Sequence, residues 1–292
     1  MKNNLPLIII KPIIIVLPNN KLASSAIKKR LFNKLKHLKN IKFEIFTFEK
    51  FPLLRKHTYY FLKKYDINKF RILKRFKNKI IYEPLDCHWK ESKYKKQFNK
   101  IFKIIDHIIF NNKILNDLFK LNKSTIIYHE YDTRFPLNNE LSDLIYYIGM
   151  KQKTSLTDDT FSKYNIHNIT SYQSIINNTI NYRGIHIDYV LPNLNQYNIH
   201  TTTKLATALY TKSVFICNKV PIYLEIFGDE YELYFKDDLS DLNIIIEKAK
   251  NIINDKEKYD NYLKMQSKYL EYFNPDNILM NYYNLFRRFN KK

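Results

Sequence analysis

Short apolar runs recur along this chain, at 8–17, 41–48, 79–82, 106–111, 124–128, 143–148, 185–189 and 213–217, with helix-length stretches between many of them. Most are β-branched or aromatic and do not alternate with polar residues, the pattern of strands buried on both faces. Such strands form parallel sheets covered by helices. Residues 22–38 supply one cover, with Leu22, Ile27, Leu31, Leu35 and Leu38 on one face and lysines on the other. Strand, helix, strand at the start of the chain therefore predicts an α/β fold. Residues 50–76 are harder to read and are expected to be helical around 59–65.

At 292 residues and 45% hydrophobic composition the chain can bury two modest cores. The polar stretch 134–141, with Pro136, Asn138 and Asn139, is the expected junction. It divides residues 1–138 from 139–274, and the helical tail 242–253, 257–272 and 275–289 ends in a closing helix at 275–292.

The formal charge of +21 invites a nucleic-acid reading. The lysines are spread along the whole chain, and abundant Lys, Asn, Ile and Tyr beside only 3 glycines point to codon bias, so no specific nucleic-acid partner is expected. Cys87 and Cys217 make no disulfide framework, which favours a reducing, cytoplasmic compartment, with peripheral contact to anionic lipid as a further use of the charge. The apolar residues 5–17 are interrupted by Lys11 and by Pro6 and Pro12, with Pro18 just beyond. They read as a first strand, not as a signal peptide or a membrane span.

The most informative stretch is 200–235. Thr201, Thr202 and Thr203 are candidate N-caps of a helix at 204–210, followed by the strand 213–217. Pro221 suits the first turn of a second helix, Gly228 its end, and 232–235 a last short strand. In an α/β sheet this order puts the helix start and Lys204 near the carboxyl edge, where N–H groups and an ammonium can meet a phosphate. As a first-turn, partly exposed lysine, Lys204 is expected to matter little for stability.

Lys204-Leu205-Ala206-Thr207-Ala208, Ser213-Val214-Phe215-Ile216 and Leu224-Glu225-Ile226-Phe227-Gly228-Asp229 resemble, in order and spacing, the donor-binding segment of GT-B fold glycosyltransferases. The likeness is to the retaining, nucleotide-sugar-dependent enzymes of the group 1, family 4-like kind. It implies two Rossmann-like domains facing across a cleft, with the acceptor on the N-terminal side and the donor on the C-terminal side. The closing helix would cross back to the first domain. Transfer of a sugar to a glycan, lipid-linked or protein-linked acceptor is expected, with no metal and no other cofactor. Two departures stand out: Thr207 occupies the place of a ribose-holding glutamate, and Met150 that of an arginine.

The same resemblance suggests roles for other residues. Gly149, Lys151, Lys153, Thr202, Thr203, Lys204 and Glu225 would contact the donor, the glycine because a nearby phosphate leaves no room for a Cβ. Asn19 and Asn20 in the first turn, His88 and Trp89 after the strand 79–82, and Asp132 would contact the acceptor, while Lys204, His129 and Asp86 would act in catalysis. Each has a plain alternative as a turn, cap or core residue. The adjacent pairs Asp158-Asp159 and Asp237-Asp238 read as turn and cap residues, not as metal ligands. A degenerate sugar-nucleotide binder remains the rival reading.

Overall fold

The computed structural model describes residues 11–18, 32, 34, 41–63, 65–84, 92–137, 140–151, 154–170, 172–177, 179–192 and 202–290. The chain divides into two compact units, one of Met1–Phe110, Phe119–Ile127 and Leu279–Lys292, the other of Asn111–Leu118 and Tyr128–Ile278.

The first unit is built on six strands: β1 (Ile13–Leu17), β2 (Phe43–Thr47), β3 (Thr58–Leu62), β4 (Lys79–Glu83), β5 (His107–Phe110) and β6 (Ser124–Ile126). All pairings are parallel, in the order β2-β1-β3-β4-β5-β6. β1 is buried along its whole length, as its Ile-Ile-Ile-Val-Leu sequence requires. β3 corrects the helical expectation for 59–65. Thr-Tyr-Tyr-Phe-Leu is a fully buried central strand between β1 and β4, because β-branched and aromatic residues pack well on a pleated surface. The helix comes later, as α1 (Ile67–Arg75), whose N-cap Asp66 accepts from the N–H groups of Asn68 and Lys69. Helix α2 (Ser92–Ile104) follows β4, while α3 (Lys113–Phe119), after β5, belongs to the second unit up to Leu118.

In the second unit β7 (Ile145–Ile148), β8 (Ile166–Ile169), β9 (Ile185–Asp188), β10 (Val214–Asn218) and β11 (Tyr234–Phe235) form a parallel sheet in the order β11-β10-β9-β7-β8. Its helices are α4 (Asp158–Lys163), α5 (Tyr172–Ile176), α6 (Thr203–Tyr210), α7 (Pro221–Phe227), α8 (Leu242–Asn254), α9 (Lys256–Leu270) and the start of α10 (Pro275–Asn290). α4 has no counterpart among the sequence expectations; Thr157 caps it, accepting from the Thr160 N–H. Gly184 leads into β9, and a Cβ there would lie 2.7 Å from the Leu144 carbonyl oxygen, so the close approach of the two segments needs glycine.

Both sheets run second, first, third, fourth, fifth strand, with a sixth added in the first unit, the doubly wound order in which the strand order reverses between the first and third strands. From Leu279 onward α10 belongs to the first unit, where Phe286 and Tyr282 pack on Tyr60. The Tyr282 and Tyr60 hydroxyls both donate to the buried carboxylate of Glu83 at the end of β4.

Candidate functional site

The strand order of the second sheet reverses between β7 and β9, and ligands of open α/β sheets bind at the carboxyl ends of strands at such a point. Four side chains and one glycine meet there. β7 ends in Gly149, whose φ of +145° is rarely adopted by L residues, and a Cβ there would lie 3.6 Å from Lys204 Cε. β9 ends in Asp188, which is fully buried. α6 seats Leu205, Ala206, Ala208 and Leu209 in the core, which fixes Lys204 on its first turn. Lys204 Nζ donates to Asp188 Oδ1 at 2.6 Å and to the Tyr147 hydroxyl at 2.8 Å, 4.1 Å from the Tyr147 ring centroid. From α7, Tyr223 donates its hydroxyl proton to the other carboxylate oxygen at 2.5 Å.

Burial alone would lower the Lys204 pKa, but the Asp188 and Tyr147 oxygens and the hydrogen bonds they make hold it above the ordinary lysine value. The Tyr223 pKa is pushed well up, first by burial and then by the neighbouring carboxylate, so its proton stays in place. The Lys204 side chain retains 20% exposure beside a carboxylate with none. An ammonium has three N–H donors. Two are used here, and the third has no partner among the described residues.

The start of α6 differs in detail from the expected cap. Thr202 is the N-cap residue but its side chain makes no cap bond. Its hydroxyl is buried without a partner among the described residues. Thr203 Oγ1 lies 3.3 Å from His129 Nδ1, so these two candidates meet, on the helix that carries Lys204.

Other candidates are engaged elsewhere. Lys151 pairs with Asp158 at 2.5 Å and lies 4.6 Å from the Phe161 ring centroid. The Glu225 carboxylate accepts from the Lys113 N–H at 2.9 Å and from the Tyr128 hydroxyl, holding the start of α3. Burial raises its pKa against the effect of both bonds. Asp132 is gripped by the Arg134 guanidinium, with a shortest contact of 2.6 Å. Thr207 is buried and donates to the Thr203 carbonyl, so it is turned into its own helix. Met150 is about half exposed. Asn19, Asn20, Asp86, His88, Trp89 and Lys153 lie outside the described residues. Asp158 and Asp159 sit in the first turn of α4, and Asp238 accepts from the Ser240 N–H, as turn and cap residues do.

Sequence reasoning missed Asp188, Tyr147 and Tyr223. The available signal was an acid closing the otherwise buried run Ile-His-Ile-Asp. A buried charge in a strand calls for a partner.

No family model and no curated protein matches the sequence. Among solved structures the chain is similar to Anabaena HepE, crystallised in complex with UDP-glucose. The TM-score is 0.58 over 95% of this chain and 100% of that chain, at 11% identity. At that identity the likeness is one of fold, the two-sheet Rossmann-like architecture of the GT-B class. Among the described residues no helix is long and apolar enough to cross a membrane.

Proposed function

We propose that this protein is a glycosyltransferase that takes its sugar from a nucleotide-sugar donor, with the donor diphosphate against Lys204 and the start of α6. The observation that carries this reading is the Lys204 ammonium at the strand-order reversal, beside a glycine and with a third donor that has no partner among the described residues. HepE, similar in fold, binds UDP-glucose, which supports a uridine diphosphate sugar as the first donor to try.

Transfer leaves a nucleoside diphosphate, so charge grows on the leaving phosphates as the glycosidic bond breaks. A fixed cation and the N–H groups of a helix start stabilise that charge without reorganising. His129, joined to Thr203 on the same first turn, is the candidate proton carrier. The acceptor is a glycan or glycoconjugate.

The burial of Thr207 favours a second reading, a protein that binds the sugar nucleotide without transferring it, because no carboxylate stands at that helix position to hold the ribose. A thermal-shift panel of sugar nucleotides, followed by assay of nucleoside diphosphate release, separates the two. A donor at about a hundredfold its Kd stabilises the fold by about 2.7 kcal/mol. Stabilisation with release supports the transferase, and stabilisation without release over a range of acceptors supports the binder. No stabilisation by any member of the panel refutes both.

A further inference from the structure

Asp188 is a fully buried carboxylate that the proposed chemistry does not use. Stability alone is a poor account of it, since a buried ion pair is often no better than an apolar replacement of the same size. Its geometry points elsewhere. Each oxygen is taken by a donor from a different helix, Oδ1 by Lys204 of α6 and Oδ2 by Tyr223 of α7. The Tyr147 hydroxyl and ring fix the ammonium from β7.

We propose that Asp188 is a positioning residue for the anion site, holding the Lys204 ammonium in place and keeping it charged so that its remaining N–H is presented to the diphosphate of a nucleotide. This rests on the donor-site reading above. Around Lys204 stand Tyr147 from β7, Asp188 from β9 and, through that carboxylate, Tyr223 from α7. His129 is bonded to the neighbouring Thr203. Cys217 of β10 lies in the same carboxylate's field, its thiol neutral because burial first, and Asp188 second, push its pKa well up. Asp188 is thus the only carboxylate paired with Lys204 among the described residues. Without it, only the Tyr147 hydroxyl would be left to oppose the burial that favours loss of the ammonium proton.

The test compares wild type with Asp188→Asn, Asp188→Glu and Tyr223→Phe, using uridine diphosphate as the probe in calorimetry from about pH 7 to about pH 9.5. Acylation of Lys204, read by peptide mass in the ligand-free protein, is followed over the same range. Wild type should bind with an affinity nearly independent of pH. In Asp188→Asn binding should weaken about tenfold for each pH unit above the lowered ammonium pKa, and Lys204 should acylate at lower pH. Tyr223→Phe keeps the carboxylate, so its profile should stay flat even if affinity falls. If Asp188→Asn does not fold, Asp188→Glu carries the test, since a displaced ammonium should bind more weakly with a flat profile. Wild-type affinity, pH profile and acylation in Asp188→Asn, or wild-type affinity in Asp188→Glu, would overturn the proposal and leave the donor site standing. Failure of wild type to bind uridine, adenosine or guanosine diphosphate, with the acylation difference still present, would overturn the donor reading and the anion role with it.

Discussion

Lys204 stands between a buried carboxylate and solvent, so removing its charge acts on stability as well as on binding. This corrects the sequence expectation of a first-turn lysine with little share in the fold. Lys204→Met leaves Asp188 uncompensated, and breaking a buried pair this way costs about 3–5 kcal/mol, which urea denaturation would read as a lower midpoint. Lys204→Arg keeps the charge but replaces a compact ammonium by a planar fork, and should recover only part of the loss. The buried histidines give a second prediction. Burial drives His186 down to about 4 against the bond to the Tyr182 carbonyl, and His107 to about 4 with help from Arg288 and Lys123. The unfolded chain takes up these protons first, at about pH 6.5, so the contribution of the neutral rings is complete above that pH and is lost as pH falls toward about 4. The urea midpoint should decline across this window, and His186→Asn should flatten the decline. An unchanged slope would contradict the assignment of a neutral His186. That Lys204 lies at a helix start and Gly149 just past a strand was legible in the sequence, because threonines cap the one and an apolar run ends at the other. Asp188 was not, because its role depends on partners 16 and 35 residues away in sequence.

With 3 glycines in the whole chain, left-handed backbone positions among the described residues fall mostly to lysine, with Asn165 and Leu239 besides. Lys77 (φ 57°) and Lys212 (φ 57°) each close a Schellman turn after a helix. At the first, Asn78 donates to the Leu73 carbonyl and Lys77 to Lys74; at the second, Ser213 donates to Ala208 and Lys212 to Leu209. An L residue in this conformation costs about 1–2 kcal/mol, part of which glycine returns as unfolded-state entropy. Lys77→Gly and Lys212→Gly should therefore each raise the thermal midpoint, by roughly 0.5–1 kcal/mol of stability. A lowered midpoint would show that the lysine stems contribute more through packing than the backbone loses. The same scarcity explains which elements could be read. Strands with long isoleucine runs are placed within a few residues, as is the helix at 204–210, while the helix expected at 22–38 lies almost wholly outside the described residues. The stretch 50–76 lacks the glycine punctuation that would separate β3 from α1, so from sequence its aromatic run reads as helical although it forms a strand.

Each unit closes its own core around a parallel sheet, as the alternation of strands and helices predicts, while two Rossmann-like domains are what the resemblance implies. What could not be read was the place of Asn111–Leu118, which joins the second unit because burial of apolar faces, not chain order, decides membership. In the proposed donor site the second unit binds a sugar nucleotide through Lys204. The most direct measurement is calorimetric titration of UDP-glucose, with other sugar nucleotides beside it, into wild type, Lys204→Arg and Lys204→Met under conditions where all three are folded by circular dichroism. A charge-assisted bond to phosphate contributes about 1.5–3 kcal/mol, so saturable wild-type binding should weaken by roughly ten- to a hundredfold in Lys204→Met, with Lys204→Arg between them. Equal affinity in folded Lys204→Met, or no binding of any sugar nucleotide by wild type, would contradict this reading.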